Sequence, residues 1–159
     1  MIGRVSFLEV GTYRLDRPLA GFSQAEIGAY SRADIAGTIG GSTLRRFKVV
    51  FDYKQGRLIL EPNAQYADPP EEYNMSGLLL RARGSGWREI FVDRVQPDSP
   101  AAEAGIRAGD ILVAMEGKPI DCELSEVGAR LKQAGARRAV TILRDGRRQE
   151  FQLTLRRLL

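Results

Sequence analysis

Histidine and cysteine decide most of the chemistry open to this chain, and the first of them is missing. With no histidine, neither a Ser-His-Asp nor a Cys-His arrangement can be built, so a neutral-pH general base has to be a shifted carboxylate or a lysine. The usual zinc sites fall with the imidazole. The single cysteine, Cys122, excludes an internal disulfide, and its neighbours Asp121 and Glu123 disfavour a thiolate, which makes it a structural residue. No catalytic residue, no metal ligand and no cofactor is assigned.

Charge gives a second filter. The net charge is +4 with arginine pairs at Arg45-Arg46, Arg137-Arg138, Arg147-Arg148 and Arg156-Arg157. Acidic residues are interspersed, no basic stripe is interleaved with aromatics, and the excess is spread over both halves. A solvated basic surface is therefore expected rather than a nucleic-acid binder. No run approaches the ~18 apolar residues of a membrane helix, and no basic segment followed by an apolar run opens the chain, so a soluble chain without a visible signal peptide is expected.

The elements that must position any site divide into two groups. With 159 residues the chain accommodates one medium domain or two small ones. Paired prolines and acids at Asp68-Pro69-Pro70-Glu71-Glu72 interrupt sheet and helix alike, which predicts a first domain over 1–65, a linker over 66–73 and a second domain over 74–159. The fold class expected is mainly β, with two short helices in the second half.

In the first half, Val5–Val10 and Tyr13–Leu15 read as strands, Thr43–Phe47 as a helical turn, and Lys48–Tyr53 with Arg57–Leu60 as a hairpin across Lys54-Gln55-Gly56. In the second half, strands are expected over Gly77–Ala82, Glu89–Val95 and Asp110–Met115. A helix starts at Ser99-Pro100, with serine as cap and proline at the first helical position, and stops at Gly105. Leu124, Val127 and Leu131 share one face of a second helix, which is expected to end before Gly135. Ala139–Leu143 and Gln149–Leu155 form a last hairpin around Asp145-Gly146, a pair suited to positive φ.

The run Val95-Gln96-Pro97-Asp98-Ser99-Pro100-Ala101-Ala102-Glu103-Ala104-Gly105-Ile106-Arg107-Ala108-Gly109-Asp110-Ile111-Leu112 closely resembles the signature of bacterial PDZ domains of the HtrA-like type. Met115-Glu116-Gly117-Lys118-Pro119-Ile120 and Leu143-Arg144-Asp145-Gly146 extend the resemblance, which covers about residues 74–158. It implies a sandwich or partly open barrel capped by two helices, to which a peptide adds as an extra strand. By the same resemblance, Met75, Ser76, Gly77 and Leu78 stand where a hydrophobic-Gly-hydrophobic loop holds a terminal carboxylate on backbone N–H groups. Ser76 departs from the usual apolar residue. Leu78, Leu79 and Leu80 would then form the strand edge, and Leu124, Val127, Gly128 and Leu131 would wall the groove.

The segment from Ile35 to Tyr53, followed by Arg57-Leu58-Ile59-Leu60-Glu61-Pro62, resembles the closing part of a bacterial retropepsin-like aspartyl protease lobe. Such enzymes need two aspartates sharing a proton, each on an Asp-Thr-Gly or Asp-Ser-Gly loop. Neither tripeptide occurs here, and Asp98-Ser99-Pro100 replaces the glycine with proline, so no proteolysis by this chain alone is expected. On this reading the catalytic loop lies upstream of Met1 in a parent protease, and an incomplete lobe with unpaired edges would pair into a homodimer.

Together these resemblances imply a peptide-binding PDZ module joined to a protease-lobe remnant, which recruits or regulates substrate for a bacterial envelope or exported parent. The alternative is a standalone PDZ adaptor in envelope assembly or secretion. The partner in either case is a peptide or protein C-terminus or an extended segment.

Overall fold

A computed structural model describes residues 2–32 and 34–159. The chain divides into two compact units, 1–71 and 72–159. Residues 1 and 33, which belong to the expected first domain, lie outside the described residues.

The first unit is built of short antiparallel ribbons. β1 (Ile2–Arg4) pairs with β4 (Leu19–Gly21), β2 (Phe7–Val10) with β3 (Tyr13–Asp16), and β5 (Phe47–Asp52) with β6 (Arg57–Pro62). A single turn of helix, α1 (Gly41–Leu44), precedes β5. The described residues of this unit thus form three separate two-stranded ribbons, and the partial aspartic-protease-like β lobe expected of residues 1–65 is not shown.

What holds this unit is largely polar. The buried Arg46 guanidinium donates to the carbonyls of Gln65, Tyr66, Asp68 and Pro69 at 2.6–3.3 Å, which fastens the proline-rich segment onto the start of β5. Tyr13, Phe47 and Tyr66 pack beside it as an aromatic triangle with centroids 5.2–5.8 Å apart. Large side chains of β5 and β6, among them Phe51 and Leu58, stay exposed.

The second unit holds a six-stranded antiparallel sheet. Its strands are β7 (Leu78–Arg83), β8 (Glu89–Val95), β9 (Ile111–Met115), β10 (Lys118–Pro119), β11 (Arg137–Arg144) and β12 (Arg147–Thr154), in the order β12-β11-β9-β8-β7, with β10 on β9. Strand β7 is therefore an edge. Two helices, α2 (Pro100–Ala104) and α3 (Leu124–Arg130), complete the unit. The second helix is shorter than its apolar spacing suggests, because Leu131 at its C-cap already leaves helical geometry.

Local chemistry explains these boundaries. Ser99 Oγ accepts from the Ala102 N–H and donates to the Gln96 carbonyl at 2.6 Å, while Gly105 ends α2 in the left-handed region at φ 84°. Asp145 and Gly146 both take positive φ, 51° and 75°, in the tight turn that sets Arg144 opposite Arg147. Between the sheet and α3 lies a close-packed core that includes Ile90, Val92, Leu112, Met115, Val140 and Ile142.

Candidate functional site

The edge strand β7 and the helix α3 are neighbours, and the loop 75–78 leads directly into the strand. The side chains of that loop serve the interior. Met75 is 2% and Ser76 0% exposed, with the Met75 N–H donating to the Leu131 carbonyl at 2.8 Å. Gly77 sits at φ 81°, and a Cβ placed there would lie 2.1 Å from Ser99 Oγ, so only glycine fits. The carbonyl of Ser76 accepts from the Ala101 N–H at 2.9 Å, which ties the loop to the first turn of α2.

Backbone polarity along β7 follows from one bond. The Gly77 carbonyl accepts from the Gln96 N–H at 2.8 Å on the β8 side. Alternation along a strand then turns the N–H and C=O of Leu78, Leu80 and Ala82 to the open edge. At Leu78 both groups are met from within the chain: its N–H donates to Ser76 Oγ at 3.1 Å and its C=O accepts from Asn74 Nδ2 at 2.6 Å. Asn74 Oδ1 in turn accepts from the Ser76 N–H at 2.8 Å and from the Ser76 hydroxyl at 2.6 Å. Leu80 and Ala82 are the rungs that follow.

The helix side separates into two faces. Val127 and Leu131, 1% and 0% exposed, point into the core. Leu124 and Gly128, four residues apart, are half-buried on the adjoining face. The groove residues inferred from the sequence are thus divided. Leu80 on the edge strand and Leu124 on the helix are half-buried against the core, with Gly128 half-buried beside Leu124; Leu79 is half-buried on the opposite face of the strand, and Met75, Leu78, Val127 and Leu131 are core residues. Leucine spacing reports a buried stripe, and it does not distinguish the core from a groove floor.

At the far end of the groove, Ala82 of β7 and Leu124 of α3 contribute with Trp87, Arg88, Cys122 and Glu126 to a cleft of ≈ 550 Å³. Trp87 is 72% exposed and follows two positive-φ glycines, Gly84 and Gly86, in a short 3-10 turn. Arg88 pairs with Asp121 across this cleft. Sequence reasoning singled out neither Trp87 nor Asn74. A lone tryptophan just after two glycines was a legible signal for the first, but nothing local marks an asparagine as the acceptor for its neighbour Ser76.

Behind the site, Asp110 is buried and receives two bonds from the Arg144 guanidinium, at 2.8 and 2.7 Å, and one from the Arg107 N–H at 2.8 Å. Burial pushes its carboxyl up, but these donors outweigh burial and hold it below the usual carboxylate range. Arg144 Nη2 also donates to the Gly105 carbonyl at 2.9 Å, which joins the end of α2 to β11. Among the described residues no group of three or more His, Cys, Asp or Glu is placed to hold a metal ion.

Residues 91–144 match the PDZ domain family. The second unit is a PDZ domain. The matched range takes in β8 through β11 and the groove helix of this PDZ domain, and stops short of the loop 75–78 and β7. Its curated relatives include the periplasmic serine endoprotease DegP of Escherichia coli strain K12, 38% identical over 71 residues, which are 43% of this chain and 15% of that protein. The periplasmic pH-dependent serine endoprotease DegQ of the same organism is 30% identical over 106 residues, 65% of this chain and 21% of that protein. This chain spans about a fifth or less of the relatives' length. Among solved structures, the HtrA-type protease AlgW with a decapeptide aligns at TM-score 0.53 and 15% identity over 71% of this chain and 41% of that one. The serine endoprotease from Yersinia pestis aligns at TM-score 0.51 and 23% identity, covering 72% and 43%. Both speak to the fold.

These relatives correct the reading of the first half. They are serine endoproteases, and the aspartyl, retropepsin-like assignment carried by residues 35–62 does not stand. Short hairpins with a terminal Glu-Pro recur wherever a ribbon ends at proline, so a pattern of apolar residues and glycines there had little power to name a family. The serine endoprotease triad is not in this chain either, which has no histidine.

Proposed function

We propose that this chain is the peptide-recognition part of a bacterial envelope or exported serine endoprotease, and that its PDZ domain captures an extended segment of a protein beside β7. The observation that carries the reading is the open outer edge of β7, which has β8 on one side only; on this reading the outward N–H and C=O of Leu80 and Ala82 face a groove bounded by Leu124 and Gly128. A bound segment completes the ladder there as an added strand, and main-chain bonds give affinity while the half-buried side chains give selectivity. The likeness to DegP and DegQ supports placing the parent outside the cytoplasm.

Trp87, the one tryptophan, reports on the far end of the groove. Titration with extended peptides is expected to change its fluorescence saturably, with Kd in the micromolar range, on the order of −8 kcal/mol. Leu124→Lys, which puts a charge into the helix wall, is expected to weaken binding at least about tenfold. A flat titration with every peptide tried would overturn the reading. In the parent protease, the same peptides are expected to alter the cleavage rate of an unrelated substrate.

A further inference from the structure

The loop 75–78 is where a terminal carboxylate would be held on backbone N–H groups, yet in this chain three of them, those of Met75, Ser76 and Leu78, already have acceptors. The Met75 N–H is taken by the Leu131 carbonyl, the Ser76 N–H by Asn74 Oδ1, and the Leu78 N–H by Ser76 Oγ. The Leu78 carbonyl, which would accept from the last residue of a bound chain, is taken by Asn74 Nδ2. The side-chain amide of Asn74 thus makes bonds that a ligand terminus would make, and Ser76 Oγ makes another.

We propose that the groove takes an internal stretch of extended polypeptide rather than a free C-terminus, because Asn74 and Ser76 close its carboxylate end from within. This rests on the groove reading above and names its ligand class. A tethered side-chain acceptor two residues from its donor, as Asn74 is from Ser76 and Ser76 from Leu78, competes at a high effective concentration, so an incoming carboxylate has to displace it. An internal segment has no such requirement: it pairs with the outward rungs at Leu80 and Ala82 and continues past the closed end. Ser76 matters doubly, since an apolar residue at that position would leave the Leu78 N–H without its present acceptor.

The test compares a random octapeptide library made twice, fluorescein-labelled at the N-terminus, once with free and once with amidated C-termini, titrated against the full chain by anisotropy. The strongest binders are expected to bind both ways within about twofold. A loss of about tenfold or more on amidation overturns the inference and leaves the groove reading standing. Failure of both libraries overturns both. Asn74→Ala and Ser76→Ala, checked for native circular dichroism, are each expected to gain a preference of about fivefold or more for the free acid. If both variants stay folded and stay indifferent, the closure by these side chains is wrong. The native-chain comparison stands whether or not the variants fold.

Discussion

At Gly77 a hydrogen atom is all that the chain tolerates. Its φ of 81° and the 2.1 Å approach of a hypothetical Cβ to Ser99 Oγ mean that Gly77→Ala has to push aside the cap of α2 as well as strain the backbone. Ser99 is itself buried and doubly bonded, so it has little room to give. We expect a loss of roughly 3 kcal/mol or more, read as a lowered urea midpoint. Ser99→Ala removes the cap without the clash and is expected to cost only about 1 kcal/mol. Asp110 makes a pH-dependent contribution. Its carboxyl is depressed in the folded state, so the stabilisation is complete above the ordinary carboxylate pKa, near ~3.9, and is lost as pH falls below it through the folded value. The melting temperature of the native chain is expected to fall over that acid window more steeply than that of Asp110→Asn. Parallel acid profiles would show that the Arg144 and Arg107 bonds contribute nothing.

Among the elements, α3 has opposed duties. Val127 and Leu131 anchor it in the core, and Leu124 and Gly128 are half-buried on the face proposed to border the groove. Leu131→Ala is expected to cost about 2–5 kcal/mol in chemical denaturation, the range for emptying a well-packed leucine site. Gly128 behaves differently. A Cβ there meets nothing within 4 Å, so Gly128→Ala is expected to stabilise the domain by about 0.5–1 kcal/mol through helix propensity. Gly128→Phe is expected to fold and yet bind peptides more weakly by filling the groove. Equal peptide affinity in Gly128→Phe and the native chain would show that the helix face at 128 borders no ligand.

Over the whole molecule, apolar burial is uneven. Among the described residues the first unit buries Leu15 and Phe47, whereas the buried core cluster runs from Met75 to Leu155 within the PDZ domain. Burial supplies most of the driving force for a cooperative unit. Limited trypsin digestion is therefore expected to cut first in the exposed turn at Lys54 and Arg57 and to leave a persistent fragment containing 72–159, identified by mass spectrometry. Simultaneous loss of both units would show a single cooperative transition.

Much of the PDZ domain was legible in the residues because its signals are local. Ser99, Pro100 and Gly105 start and stop α2 within a few residues of one another, and Asp145-Gly146 sets its own hairpin turn, so neighbours alone specify these features. The open edge and the closed loop depended on the fold. That β7 has β8 on one side only, that Val127 lies in the core while Leu124 is only half-buried, and that Arg46 gathers carbonyls from 65 to 69 all depend on segments far apart in the chain. Asn74 shows the same limit at short range. Its donor bond to the Leu78 carbonyl exists only because the left-handed Gly77 folds Leu78 back within reach of Asn74 and Ser76, and packing against Ser99, not the sequence pattern, holds that glycine in place.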